Sequence, residues 1–181
     1  ILLVVAPERR REMEELLREA GIRKPVRVVD GGAVRQDSVI AGVEAARPQF
    51  GTLAIHDGAR PLIEPDQIDA CVAAARERGA VALAAPVTDT LRRSGADGQL
   101  TGGVDREGLW AMQTPQVFRR DLLMRALAAA RASGEAFTDE TSAVGAIGEP
   151  VFVVSHTAWN PKITFPRDLE LASAWLEART R

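Results

Sequence analysis

Short apolar runs alternate with helical patterns along much of this 181-residue chain. Runs of four to six apolar residues suit strands that are buried on both faces, and glycine or proline turns separate them from the next pattern. This repetition predicts an α/β fold in which helices cover a mostly parallel sheet. The predicted strands are Ile1–Val5, Val26–Val29, Thr52–Ile55, Ala80–Ala85 and Val151–Val154. The predicted helices cover residues 7–20, 39–47, 65–79, 120–134 and 138–147, and a last helix begins at Pro166.

Composition narrows the class of protein. A net charge of −2 gives no broad basic field, so we expect no nucleic-acid partner. No apolar run approaches the ~20 residues that span a bilayer, and no secretory signal is present, so we expect a cytoplasmic protein without a membrane partner.

Cys71 is the only cysteine, and its helical setting predicts inert core packing. His56 and His156 lack spaced partners for a metal or nucleophile site, and we expect both to be structural.

The alternation of strands and helices is interrupted after Pro86. Residues 87–118 contain no convincing helical pattern, and Asp97-Gly98 between extended segments is a hairpin signal. A long insertion of this kind that also carries Trp110 predicts a projecting β-arm, and its expected use is to grip a second subunit. We therefore expect one domain over residues 1–181, with an arm over residues 87–118.

Charged side chains follow the predicted strands. Asp57 and Arg60 come directly after the third strand, at the carboxyl edge where open α/β sheets bind ligands. Gly31 and Gly32 follow the second strand, and Arg35 adds a cation beside them. This turn is either a phosphate-binding or base-binding loop or an ordinary tight connection. The chain has neither a G-x-G-x-x-G sequence nor a Walker A sequence.

Seven short strings are spread in order over nearly the whole chain. They are Asp30-Gly31-Gly32 with Arg35 and Ser38, His56-Asp57-Gly58-Ala59-Arg60-Pro61, Pro86-Val87-Thr88-Asp89-Thr90, Asp105-Arg106-Glu107-Gly108-Leu109-Trp110, Gln113-Thr114-Pro115-Gln116, Thr138-Asp139-Glu140 and Asn160-Pro161-Lys162-Ile163-Thr164. In this order they resemble the 2-C-methyl-D-erythritol 4-phosphate cytidylyltransferase family of the non-mevalonate isoprenoid pathway. The resemblance implies a Rossmann-like nucleotidyltransferase fold and a homodimer built through the β-arm. It also implies Mg2+-dependent transfer of CMP from CTP to a sugar-alcohol phosphate, with release of pyrophosphate.

The resemblance implies roles for residues of the nucleotide side of the site. Gly31, Gly32, Arg35 and Ser38 are similar to the loop that binds the cytidine of CTP. Asp57 resembles the family's metal-associated catalytic carboxylate. No side-chain nucleophile is needed for in-line transfer between phosphates, because the enzyme mainly positions two anions and neutralises the charge that develops between them. The lack of a catalytic triad in this sequence fits that chemistry.

The resemblance implies further roles on the acceptor side. Thr90 and Arg106, both in the arm, resemble residues that contact the methylerythritol phosphate in the partner's site. The resemblance also implies a catalytic role for Arg106. Thr138 resembles a residue that approaches the same substrate, and Arg60 one that supports the site. Lys162 resembles a catalytic lysine beside the reacting phosphates, and its compact ammonium suits that place.

Two departures from the family pattern qualify these expectations. Nothing in the chain matches the family's N-terminal glycine-rich loop, so we expect the sequence to be part of a longer protein and not to turn over CTP alone. Trp159 stands where members of the family often carry an acid, so metal ligands beyond Asp57 are not predicted. Two alternatives remain open at this point. They are a ribitol-5-phosphate cytidylyltransferase and a non-catalytic nucleotide-binding or dimerisation module.

Overall fold

A computed structural model describes residues 1–180 of the chain, apart from the side chain of Thr180. The observed elements follow the predicted α/β order closely. The strands are β1 (Leu2–Val5), β2 (Arg27–Asp30), β3 (Thr52–Ile55), β4 (Ala80–Pro86), β5 (Leu91–Ser94), β6 (Leu100–Val104), β7 (Trp110–Arg119) and β8 (Phe152–Ser155). The helices are α1 (Arg10–Glu19), α2 (Arg35–Ala45), α3 (Pro65–Arg78), α4 (Arg120–Ser133), α5 (Glu140–Ala146) and α6 (Pro166–Thr180), and a 3-10 turn at Pro7–Arg9 precedes α1.

The strands of the main body form two sheets. β1 and β2 pair in parallel, and a four-stranded sheet has the order β3-β7-β4-β8. Within the larger sheet β4 and β8 are parallel, and β7 runs antiparallel to both β3 and β4. Three of these four strands therefore run in one direction. Their carboxyl ends meet at one edge, as a mostly parallel sheet predicts.

Strand β7 corrects the predicted bounds of the arm. Residues 110–118 were expected to belong to the arm, but they form a strand in the interior of the larger sheet, where Val117 and Phe118 are fully buried. Pro115 weakens the strand pattern, because a proline cannot donate a hydrogen bond to a neighbouring strand. The sheet accommodates it where the register of β4 against β7 shifts between Ala82 and Ala84.

The remaining part of the predicted arm is a short hairpin. β5 and β6 pair with each other in antiparallel register, and Gly98 has the positive φ of +81° that the Asp-Gly turn requires. Most residues of the two strands are exposed. A two-stranded hairpin is at best marginally stable alone in water.

The core lies on both faces of the larger sheet. α4 packs on one face through Leu122, Leu123 and Leu127, and α3 packs on the other through Cys71 and Ala75. Cys71 is fully buried, and burial raises the pKa of its thiol to about 11. These findings fit the inert packing that the sequence predicts. Among the described residues no helix is long and apolar enough to cross a membrane.

Two helix details differ from the sequence prediction. Helix α5 begins at Glu140, two residues beyond the predicted start at residue 138, and its cap is Asp139, whose side chain accepts a hydrogen bond from the Ser142 amide. In α6 the helical spacing of Leu169, Ala172 and Leu176 predicts one apolar face that points into the core. Ala172 is buried, whereas Leu169 and Leu176 are 60% and 51% exposed. Helical spacing defined the shared face of these residues but not what that face contacts.

Candidate active site

The candidate site lies at the carboxyl edge of the larger sheet, as predicted. Asp57 is two residues beyond the end of β3, and Lys162 lies in the loop between β8 and α6. Arg35 begins α2, and Glu140 begins α5. The turn after β3 and the loop after β8 are joined by the main chain, since the Ile163 amide donates to the Ala59 carbonyl at 2.7 Å. The turn after β3, the loop after β8 and the first turns of α2 and α5 thus bring their charged side chains to one place, although they are distant in the sequence.

Asp57 lies between two cations. Its Oδ2 accepts a hydrogen bond from Lys162 Nζ at 3.1 Å, and its Oδ1 lies 3.4 Å from Arg35 Nη2. The Asp57 side chain is 18% exposed, whereas that of Lys162 is 50% exposed. Burial acts to raise the pKa of Asp57, but Lys162 and Arg35 outweigh it and lower that pKa. Asp57 is thus held as an anion that incoming groups can reach.

Arg35 is held more firmly by a second carboxylate. Its Nη1 and Nη2 donate to the two carboxylate oxygens of Glu140 at 2.7 and 2.9 Å, a bidentate pairing. The Glu140 side chain is only 4% exposed. Burial acts to lower the pKa of Arg35, but Glu140 and then Asp57 reverse this effect and raise it. The site is therefore a row of alternating charges in the order Lys162, Asp57, Arg35 and Glu140.

Arg60 supports the site from behind Asp57. Its Nη1 donates to the Asn160 carbonyl at 2.8 Å, and no hydrogen-bond partner of its buried Nε is present among the described residues. Burial lowers the pKa of Arg60, and Asp57 acts in the opposite direction. Arg60 thereby ties the turn after β3 to the loop that carries Lys162. The supporting role that the sequence resemblance implies for Arg60 stays a prediction.

The glycine turn after β2 is tightly packed. A Cβ on Gly31 would lie 2.7 Å from Ser38 Oγ, and one on Gly32 would lie 2.2 Å from Asp37 Cβ. The Gly32 amide donates to Ser38 Oγ at 3.2 Å. Local crowding alone therefore requires both glycines, as the tight-turn interpretation expects. Their role in binding cytidine stays a prediction, as does that of Ser38.

The other predicted residues lie outside this charge cluster. Thr90 and Arg106 are exposed at the base of the hairpin, where Arg106 donates to the Thr88 carbonyl. Thr138 is also exposed, two residues before Glu140. Among the described residues, no hydrogen bond or ion pair joins any of the three to Asp57 or Lys162. Their implied roles toward the acceptor substrate stay predictions.

Two site residues were given no site role from the sequence. Glu140 looked like ordinary acidic chemistry in the first turn of a helix, but its carboxylate holds Arg35. Thr114 belongs to the Gln113–Gln116 string, and its hydroxyl contacts the Asp57 amide. Glu140 and Arg35 are 105 residues apart, so their pairing can be recognised only from the folded structure.

His156 contacts Gln67 Nε2 at 2.9 Å and Gln113 Oε1 at 3.0 Å, and its environment makes the stability of the fold depend on pH. Burial lowers the pKa of His156, and Arg60 acts in the same direction. The folded state thus favours the neutral ring, so its contribution is fully present above the unfolded pKa of about 6.5 and declines as the pH falls below it. We expect the free energy of unfolding to fall more between pH 7.5 and about 5.5 in the wild type than in His156→Gln. Urea unfolding at both pH values measures this, and equal losses would contradict it.

Comparison with known proteins decides the family. The family model for 2-C-methyl-D-erythritol 4-phosphate cytidylyltransferase (IspD) matches residues 1–178. The chain belongs to this family. The resemblance inferred from seven strings is confirmed, and with it the nucleotidyltransferase type of the fold.

Individual relatives agree with the family assignment. The 2-C-methyl-D-erythritol 4-phosphate cytidylyltransferase of Pelotomaculum thermopropionicum is 43% identical over 180 residues, which cover 99% of this chain and 76% of the relative. The Bacillus licheniformis enzyme of the same name is 41% identical, over all of this chain and 78% of the relative. The crystal structure of the cytidylyltransferase from Thermus thermophilus superposes with a TM-score of 0.81 at 33% identity, covering 97% of this chain and 81% of that one. This chain thus spans about three quarters of the length of its family relatives.

Proposed function

We infer that this chain carries the activity of its family, which is the transfer of CMP from CTP to 2-C-methyl-D-erythritol 4-phosphate. The products are 4-diphosphocytidyl-2-C-methyl-D-erythritol and pyrophosphate, in isoprenoid biosynthesis. The observation that carries this inference is the contact of Lys162 with Asp57 at the sheet edge, in a chain that matches the family over residues 1–178. The cytoplasmic location expected from the sequence stays a prediction.

The reaction needs charge and position more than proton transfer. A phosphate oxygen of the acceptor attacks the α-phosphorus of CTP, and the bond between that phosphorus and the oxygen bridging to the β-phosphate breaks as pyrophosphate leaves. We propose that Lys162 binds the reacting phosphates, because its side chain is half exposed and Asp57 holds its ammonium at the site. Arg35 is fixed by Glu140, so it can hold its place when an anion displaces its longer contact to Asp57.

We propose that the site binds Mg2+ through Asp57. Asp57 supplies a carboxylate, which is the kind of ligand Mg2+ prefers, and its lowered pKa keeps it ionised. No group of three or more acidic, histidine or cysteine side chains able to hold a metal exists in residues 1–180, so Asp57 would bind the ion together with substrate phosphates. Mg2+ supplies neutralisation of the phosphate charge when bound. Trp159 packs on Trp175, with ring centroids 5.3 Å apart, and contributes no metal ligand.

We propose a homodimer that forms through the β5–β6 hairpin. The hairpin is largely exposed, and Thr90 and Arg106 at its base have no contact with the charge cluster of their own chain. In the proposed dimer these two residues reach the acceptor phosphate in the partner's site. This arrangement explains why residues with implied substrate roles lie on an arm.

Acceptor preference tests the reaction. The complete natural protein is incubated with CTP and Mg2+, and pyrophosphate release is compared with 2-C-methyl-D-erythritol 4-phosphate and with ribitol 5-phosphate as acceptors. We expect release with the first and little with the second. Preference for ribitol 5-phosphate would instead assign the ribitol enzyme, and CTP binding without release from either acceptor would assign a non-catalytic module.

Mixed dimers test the role of the arm. Arg106→Ala and Asp57→Asn are each expected to be nearly inactive, but a heterodimer of the two has one site with both defects and one site intact. Co-refolding equal amounts gives random pairing, so about a quarter of the wild-type activity should return. No recovery, with dimers shown by analytical ultracentrifugation, would contradict a site shared between subunits.

A further inference from the structure

The Gln113–Gln116 string lies inside the larger sheet, yet its side chains are polar. Thr114 is 4% exposed and Gln116 is 2% exposed. Buried polar groups in a sheet are normally hydrogen-bonded, because leaving one without a partner costs the free energy of its lost hydration. The partners of these side chains therefore indicate what the string does.

The Thr114 hydroxyl links the two residues that follow β3. Its Oγ1 lies 3.0 Å from the Asp57 amide nitrogen and 3.0 Å from His56 Nδ1. His56 Nε2 lies 3.0 Å from the Arg60 carbonyl oxygen. The Asp57 amide has no other hydrogen-bond partner among the contacts of the described residues. Thr114 is therefore the side chain that fixes the main chain at Asp57.

The direction of each hydrogen bond follows from its partners. The Arg60 carbonyl can only accept, so His56 Nε2 carries a hydrogen and donates it. In the neutral ring His56 Nδ1 then accepts, and the Thr114 hydroxyl donates to it. Thr114 Oγ1 in turn accepts from the Asp57 amide. Every donor and acceptor in this series of hydrogen bonds has a partner. The series fixes both ends of the segment from Asp57 to Arg60.

We propose that Thr114 is a positioning residue, whose hydroxyl holds Asp57 in register with Lys162 and Arg35. This inference rests on the proposed function, in which Asp57 contacts the metal and the reacting phosphates. Thr114 itself touches neither in this account. It acts through the Asp57 main chain, on a rigid interior strand rather than on a loop, which is where precise positioning is best supported.

The neighbours of Thr114 make the same kind of contact with the other walls of the site. Gln116 Nε2 donates to Asp139 Oδ2 at 2.9 Å, next to the start of α5. Asn160 Nδ2 donates to Gln113 Oε1 at 2.8 Å, in the loop that carries Lys162. Strand β7 thus reaches three site segments through three residues. Thr114 is the member that contacts the residue nearest to the chemistry.

Two substitutions at Thr114 distinguish the positioning of Asp57 by the hydroxyl from the packing of the methyl group. Thr114→Val keeps the branched shape but leaves the Asp57 amide without a partner, whereas Thr114→Ser keeps the hydroxyl and loses only a methyl group. A misplaced reacting group typically costs up to about 10²-fold in rate. We expect kcat to fall by about 10-fold to 10²-fold in Thr114→Val with little change in the KM for CTP, and to recover in Thr114→Ser.

A matched control uses the same strand pair. Thr52 begins β3 at the end remote from Asp57, and Thr52→Val makes the same chemical change there. We expect wild-type kcat in that variant. Equal losses of kcat in Thr114→Ser and Thr114→Val, or wild-type kcat in a folded Thr114→Val, would overturn the proposal. If Thr114→Val does not fold, Thr114→Ser still tests the proposal, because a large loss of kcat in a variant that keeps the hydroxyl would contradict it.

Amide hydrogen exchange tests the positioning without relying on activity. By NMR, the Asp57 amide should be protected in the wild type and in Thr114→Ser, and exposed to exchange in Thr114→Val. A fast-exchanging Asp57 amide in the wild type would overturn the proposal. If the wild type releases no pyrophosphate but shows this pattern of protection, the proposed function fails while the role of Thr114 in holding Asp57 stands.

Discussion

Replacing Asp57 with asparagine is expected to reduce kcat by about 10²-fold to 10³-fold, the range seen when one preorganised charged or polar group is removed from a site of this kind. The substitution keeps the size of the side chain and removes its charge. In the wild type that charge holds Lys162 at 3.1 Å and faces Arg35 at 3.4 Å. The variant loses both the orientation of Lys162 and the carboxylate proposed for Mg2+. Steady-state kinetics over a range of Mg2+ concentrations measure both effects.

A surface acid provides the matched control for this prediction. Glu149 forms an ion pair with Arg125 at 2.7 Å, and both side chains are at least one third exposed. Glu149→Gln therefore removes an ion-paired carboxylate that takes no part in the row of charges at the site, and we expect its kcat to equal that of the wild type. Asp57→Asn should keep a thermal midpoint close to the wild-type value, because its partners are partly solvated. Wild-type turnover in Asp57→Asn would remove Asp57 from the mechanism.

Lys162→Ala is expected to lower kcat by a similar factor, about 10²-fold to 10³-fold, with little loss of stability. The side chain is half exposed, and an exposed ion pair contributes only about 0–1 kcal/mol to folding. The ammonium is, in our account, the charge that binds the reacting phosphates. Kinetics and thermal unfolding on the same preparation separate the two contributions.

The chain offers a close control for Lys162. Its only other lysine is Lys24, an exposed residue in the turn before β2. Lys24→Ala removes the same charge away from the site and should leave kcat unchanged. Lys162→Arg keeps the charge but replaces a compact ammonium with a planar fork, so we expect only partial activity. Full activity in Lys162→Ala would show that the phosphates are bound elsewhere.

Local sequence patterns predicted the positions of the strands and the edge where the site lies. Thr52–Ile55 reads as a strand, and Gly58 and Pro61 stop its continuation, so Asp57 was placed correctly at a strand end. Lys162 is 105 residues away from Asp57 in the sequence, and the contact between them depends on the parallel pairing of β4 with β8. The family resemblance, rather than any local pattern, brought Lys162 into the same site.

The misplaced elements were those in which tertiary structure overrides local preference. Pro115 is unfavourable in a central strand, but an irregularity in the β4–β7 register accommodates it. Glu140 carries the acidic signature of a helix start, which masks its pairing with Arg35. Thr114 belongs to one of the seven strings, but no local pattern gives it a role, because that role depends on the Asp57 amide in the turn after β3.

The most direct test of the account is a crystal structure of the complete natural protein with CTP and Mg2+. In that structure we expect the α-phosphate to lie within hydrogen-bond distance of Lys162 Nζ, and a magnesium ion to be bound to the Asp57 carboxylate and to phosphate oxygens. We also expect Arg35 to remain paired with Glu140. A structure in which CTP binds away from this edge, while Lys162 and Asp57 remain paired with each other, would contradict the account.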